Sequence, residues 1–205
     1  MRRAALSLLV FCAVSAPAVA CADDTDDGVY GRLDGDLVLS AEALGVFVDT
    51  PAGAAPGFSL ALRARYLEMT GLALGYDRAF TADRHDALWA AVDFRPVWLA
   101  RFTNDYEHGP RWLDLMLDSI GIELGGAWIR PGDEHGGVGF VLGGGVELPL
   151  YWRRGDGVLL RAGARWITSH PWDAQGTGDR DGAAEFGLGV VFRTLVRTPL
   201  VGRHE

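Results

Sequence analysis

Apolar residues recur at every second position in eight separate stretches of this 205-residue chain. That alternation restricts each stretch to a strand with one apolar and one mixed face. From Asp36 to Val48 the apolar face holds Leu37, Leu39, Ala41, Ala43, Gly45 and Phe47, against Asp36, Ser40 and Glu42. Phe58 to Tyr66 sets Leu60, Leu62, Ala64 and Tyr66 against Arg63 and Arg65, and Gly71 to Asp77 sets Leu72, Leu74 and Tyr76 against Asp77. In the fourth stretch, Leu88 to Phe102, Leu88, Val92, Phe94, Trp98 and Phe102 oppose Asp93, Arg95 and Arg101, with Pro96 marking a bulge or a strand end. Ile120 to Ile129 contributes Glu123 to the mixed face, Val138 to Trp152 contributes Glu147, and Val158 to Ser169 contributes Arg161 and Arg165. Ala184 to Val196 contributes Glu185 and Arg193.

None of the eight apolar faces carries a charge, which is what hydrocarbon demands of a lipid-facing strand surface. An even number of strands closes without an exposed edge. The expected fold is therefore all-β: a closed eight-stranded antiparallel up-and-down transmembrane β-barrel over residues 36–196. With both ends on the inner side, the outer loops are Asp49–Gly57, Arg78–Ala87, Arg130–Gly137 and His170–Ala183. The inner connections are Leu67–Thr70, Thr103–Ser119 and Arg153–Gly157. Residues 103–119 read either as a short amphipathic helix at the inner membrane boundary or as a bulged start of the fifth strand. Outward aromatics sort into two girdles. Phe47, Phe58, Tyr76, Trp128, Phe140, Trp166 and Phe186 fall at the outer rim; Tyr66, Trp98, Phe102, Trp152 and Phe192 fall at the inner rim.

The start of the chain has the three parts of a secretory signal peptide: Arg2-Arg3, an apolar run from Ala4 to Val14, and small residues Ala18-Val19-Ala20. Residues 1–20 are expected to be removed, and the apolar run is too short for a spanning helix. Ala18-Val19-Ala20-Cys21 resembles a bacterial lipobox, which implies a diacylglycerol on the Cys21 sulfur; ordinary cleavage before an incidental cysteine is the other reading. Residues 21–35, with their Asp23-Asp24-Thr25-Asp26-Asp27 run, read as an acidic tether, and 197–205 as a tail. A net charge of −8 without a basic patch argues against nucleic acid as a partner. All 19 basic residues are arginine, the side chain best suited to forked pairing with carboxylates.

Taken with the eight alternating stretches, Glu185-Phe186-Gly187-Leu188-Gly189-Val190-Val191-Phe192 in the last one resembles the signal read by the barrel-assembly machinery. The chain is similar to the small eight-stranded outer-membrane β-barrel proteins of Gram-negative bacteria. That resemblance implies an outer-membrane location, outer-membrane lipid as the surrounding medium and the assembly machinery as a partner during biogenesis. The departure is the tail, since many members of the family stop at a terminal aromatic.

The mixed faces supply the candidate site. Glu42, Asp77, Asp93, Glu123, Glu147 and Glu185 would share the lumen with Arg63, Arg65, Arg95, Arg101, Arg161, Arg165 and Arg193. Eight strands enclose only enough space for side chains, so a packed polar plug is expected rather than a pore. The expected role is non-enzymatic, structural or surface-interacting, through outer loops whose sequences name no partner. Two other readings stay open. In a soluble periplasmic lipocalin-like barrel the faces invert, and the apolar one lines a lipophilic cavity. In an outer-membrane lipid-modifying hydrolase, Ser169-His170 at the outer rim would be nucleophile and base, with no acid placed to orient the histidine. His85, His135 and His170 lie in outer loops without metal-site spacing, so neither a metal nor a cofactor is expected.

Overall fold

The computed structural model describes residues 30, 32, 35–50, 53–80, 85–104, 106, 109–131, 137–153, 155–168 and 182–198. Alternating stretches become strands β1 (Leu37–Thr50), β2 (Gly53–Tyr66), β3 (Thr70–Ala79) and β4 (His85–Phe94). Two helices follow, α1 (Pro96–Thr103) and α2 (Arg111–Asp118), and then β5 (Gly121–Pro131), β6 (Gly137–Arg153), β7 (Asp156–Thr168) and β8 (Gly182–Val196). Every strand pairs antiparallel with its sequence neighbour, and β1 pairs with β8 from Leu37↔Val196 to Asp49↔Ala184, which closes the barrel. Closure gives every strand two hydrogen-bonded neighbours along most of its length.

The expected alternation sets the faces. Leu62, Leu72, Leu74, Leu88, Leu124, Phe140 and Leu188 stand on the outside, each between 44% and 65% exposed. Glu42, Arg63, Asp93, Glu123, Glu147 and Arg161 point inward and are buried. The inverted, lipocalin-like arrangement would need the first set inside and the second in water, and the barrel has neither.

Three expectations are corrected. The first outer loop is shorter than 49–57, because β1 runs to Thr50 and β2 resumes at Gly53. The fourth strand does not continue to Phe102. It stops at Phe94, since Pro96 has no N–H for the ladder and instead takes an early helical position in α1, where its fixed φ is favourable. Trp98 is consequently 1% exposed rather than lipid-facing, while Phe102 stacks on it at 5.1 Å between ring centres. Of the two readings of residues 103–119, the helix is the one that forms.

The third correction is Trp152. A register shift between Pro149 and Tyr151 adds one residue to β6 relative to β7. Such a bulge reverses which face each later residue occupies. Tyr151 therefore faces out at 51% exposure and Trp152 faces in at 3%. Of the expected inner girdle, Tyr66 and Phe192 remain as outward strand residues. At the outer rim Phe47, Trp128, Phe140, Trp166 and Phe186 are exposed, and Phe58 leans on Tyr76 at 6.0 Å between ring centres.

Candidate functional site: an ion-paired lumen closed at its inner end

Inward charges meet in the middle of the barrel and toward the inner end, the end that carries Leu37 and Val196. Arg63 on β2 reaches Glu42 at 3.0 Å, Glu123 at 2.8 Å and Asp93 at 3.3 Å. Arg65, two residues on and therefore on the same face, holds Asp93 at 2.6 Å and Glu147 at 3.3 Å. From β7, Arg161 joins Glu42 at 3.2 Å, Glu123 at 2.5 Å and Glu147 at 2.9 Å. Arg165 spans Asp77 at 2.9 Å, Glu185 at 3.3 Å and Glu123 at 3.4 Å. Each contact is an ion pair, most of them are also charge-assisted hydrogen bonds, and most join strands that are not neighbours. The barrel wall is thus tied across its diameter.

One participant escapes strand patterning. Glu68 sits in the β2–β3 turn with φ 63°, next to Leu67 at φ 46°. This left-handed geometry is uncommon for a residue with a side chain. It folds the carboxylate into the inner mouth, where Arg95 reaches it at 3.0 Å and Arg193 also pairs with it. Arg95 continues to Glu147 at 2.6 Å, so turn and lumen form one network. Arg193 donates a further hydrogen bond to the Gly155 carbonyl at 2.9 Å and stacks over Trp152 at 4.4 Å. Gly155 has φ 84°, which allows the tight β6–β7 turn to present that carbonyl.

Arg101 occupies a different place from the other expected lumen residues. It lies on α1 and pairs with Asp114 and, at 2.9 Å, with Asp118, both on α2. Arg32 reaches the same Asp118 at 2.8 Å. The phenol of Tyr30 donates to Asp114 at 2.8 Å, and its carbonyl accepts from the Trp152 indole at 3.0 Å. Leu115 packs with Trp152, Leu159 and Val191 in the inner mouth. The two helices therefore form a stopper under the ionic network. Tyr30 and Arg32 belong by sequence to the acidic tether, yet both pack against this stopper.

Above the network the lumen is apolar, not polar throughout as expected. Leu44, Val46, Val48, Ala79 and Ala183 cluster toward the outer end of β1. A second cluster gathers Trp89, Ile129, Val141 and Ile167. Eight strands enclose an interior that side chains largely fill, so packing decides which residues meet there. Between the two regions lies a cavity of about 20 Å³, lined by Glu42, Glu123, Arg161, Arg165, Glu185 and Gly187. That volume admits about one water molecule.

The arrangement binds strands together and obstructs passage. Among the described residues, no group of three His, Cys, Asp or Glu side chains is placed to hold a metal ion. Cys21, His135, Ser169 and His170 lie outside the described residues, as does the side chain of His85.

No family model and no curated protein matches the chain. Among solved structures, it is similar to Neisserial surface protein A, at 17% identity over 76% of this chain and 96% of that one, TM-score 0.43. It is also similar to the amino-terminal β-barrel domain of Pseudomonas aeruginosa OprF, at 14% identity over 78% and 98%, TM-score 0.45. The Pseudomonas aeruginosa outer membrane protein OprG matches at 7% identity over 79% and 97%, TM-score 0.47. The likeness is one of fold. By its own inside-out distribution of charge and apolar surface, this chain is a closed eight-stranded barrel of the membrane-spanning kind.

Proposed function

We propose that the chain is a non-enzymatic protein of the outer membrane, with a structural or surface-interaction role exercised through its outer loops. The observation that carries this reading is the obstruction of the lumen. A continuous ionic network fills its middle, apolar side chains fill the region above, and the helical stopper lies below. A cavity of about 20 Å³ is far below the roughly 300–1,000 Å³ of small-molecule pockets. With the lumen filled by its own side chains, the outer connections are where a rigid scaffold would present contacts. The last strand, with Glu185 to Phe192, is the proposed recognition element for assembly, and Cys21 the proposed lipidation site.

Two measurements test this reading on the same preparation. Outer membranes from cells expressing the full chain should give an unboiled band that runs faster than the boiled one. The purified, refolded barrel should add no stepwise conductance to a planar bilayer. Discrete conductance steps would turn the lumen into a path and overturn the scaffold reading. Recovery in the soluble periplasmic fraction would overturn the membrane location.

A further inference from the structure

The barrel wall is incomplete at its inner end, and α2 fills the gap. Pairing between β5 and β6 begins at Gly121↔Gly145, and β4 ends at Phe94 opposite Ile122. β6 nevertheless continues to Arg153, paired on its other side with β7 as far as Arg153↔Asp156. Residues 146–153 of β6 thus have no β5 strand beside them. α2 lies along that stretch, clamped where the Ser119 hydroxyl donates to the Glu147 carbonyl at 3.0 Å and accepts from the Glu147 N–H at 2.6 Å.

A helix that replaces a piece of barrel wall has one side toward the lumen and one toward the surroundings. The inner side of α2 holds Asp114, Leu115 and Asp118, all buried. The opposite side holds Trp112, Leu113, Met116 and Leu117, without one polar residue; Trp112 is 55% exposed and the other three are half-buried. A surface helix facing water shows the reverse order, with apolar residues toward the core and polar ones outward. This apolar side continues the strand belt, flanked by exposed Ile120 and Ile122 on one side and by Leu150 and Tyr151 of β6 on the other.

We propose that the outer side of α2 is a lipid-docking surface, seated at the headgroup–acyl boundary of the inner leaflet and occupied by glycerophospholipid. The inference rests on the membrane reading above. Its ground is continuity with the lipid-facing belt and a tryptophan at the depth where amphipathic rings gather. A helix in this position seals the wall against lipid where β5 is missing, and it holds the stopper by anchoring it sideways.

The test uses the full mature barrel with Cys21→Ser, which leaves the mature chain without a cysteine. Leu117→Cys and, separately, Leu74→Cys on the β3 belt are labelled with an environment-sensitive dye. Each is reconstituted in phosphatidylethanolamine–phosphatidylglycerol vesicles. The expected result is loss of Leu117-site emission with a shallow nitroxide lipid and little loss with aqueous iodide, while the Leu74-site label responds to a deep nitroxide lipid. Quenching at the Leu117 site by iodide alone, with the Leu74-site label still lipid-quenched, overturns the docking surface and leaves the membrane reading intact. Failure of both labels to respond to lipid quenchers overturns the membrane reading itself. A comparison that leaves the helix natural otherwise uses Trp112→Phe. Brominated lipid should quench less total tryptophan emission in the variant than in the parent; an equal loss in both counts against the proposal.

Discussion

The guanidinium carbon of Arg165 lies 3.8 Å from the centre of the Trp89 ring, joining the ionic middle of the barrel to its apolar outer part. Trp89 is 2% exposed and lies across Gly75, where an added Cβ would come within 2.2 Å of the indole ring. Desolvated contacts of this kind are worth about 2 kcal/mol or more, provided the ring holds its place.

Gly75→Ala should therefore move the indole off Arg165 and destabilise the barrel by about 1–3 kcal/mol, the range for overpacking a close contact. The measurement is the denaturant midpoint of unfolding from lipid vesicles. An unchanged midpoint would mean that the ring has room to shift without losing its partners.

Arg161 contacts three carboxylates, on Glu42, Glu123 and Glu147. Arg161→Met should lower stability by about 3–5 kcal/mol, because it leaves buried acids short of a counter-charge. Adding Glu147→Gln removes one stranded charge, so the double variant should be less damaged than the sum of the two single changes. Strict additivity would contradict a shared network.

Leu74 stands on the outer face at 60% exposure, midway along β3. Leu74→Arg should cost about 2–4 kcal/mol in vesicle refolding, whereas Phe47→Arg near the outer rim should cost about 0–1 kcal/mol. Equal penalties at both sites would argue against a hydrocarbon slab around the barrel.

At the inner rim, just outside β1, the Asp36 carboxylate accepts hydrogen bonds from the Thr198 hydroxyl and, at 2.5 Å, from the Thr198 N–H. These bonds, the hydroxyl's first, hold the carboxyl below its ordinary 3.8. Because the folded value is the lower one, the linked stability is present above the unfolded value and is lost as pH falls through the folded one. Amide protection at the inner ends of β1 and β8 should therefore weaken on acidification below about pH 4. Thr198→Val should raise the Asp36 titration point followed by NMR; no movement would show that the hydroxyl contributes nothing.

Much of the lumen was legible because strand patterning reports on each side chain's face. Glu42, Arg63, Glu123 and Arg161 alternate with apolar neighbours, and each points inward. Glu68 was not legible, since it lies in a turn and alternation assigns no face there. Its signal would have been a positive φ, which appears only in coordinates. Trp152 misled because a one-residue bulge leaves no trace in composition but reverses every face beyond it. The run from Pro96 to Phe102 misled because apolar residues there fit both a two-residue and a helical period, and only the missing N–H of Pro96 separates them.

The sequence by itself determined that eight strands form, that their outer faces are uncharged and that Arg and acid side chains share the inside. Those are properties of single residues at a two-residue period, and they survive without knowledge of any partner. Only the tertiary structure decided which Arg meets which acid, because barrel closure brings β2, β4, β5 and β7 side chains to one centre over separations of tens of residues. It also decided that the lumen turns apolar toward its outer end and that two helices, with Tyr30 and Arg32 packed on them, close the inner one. Those outcomes depend on the width of the closed barrel and the register of its strands, and neither quantity is carried by any stretch of sequence alone.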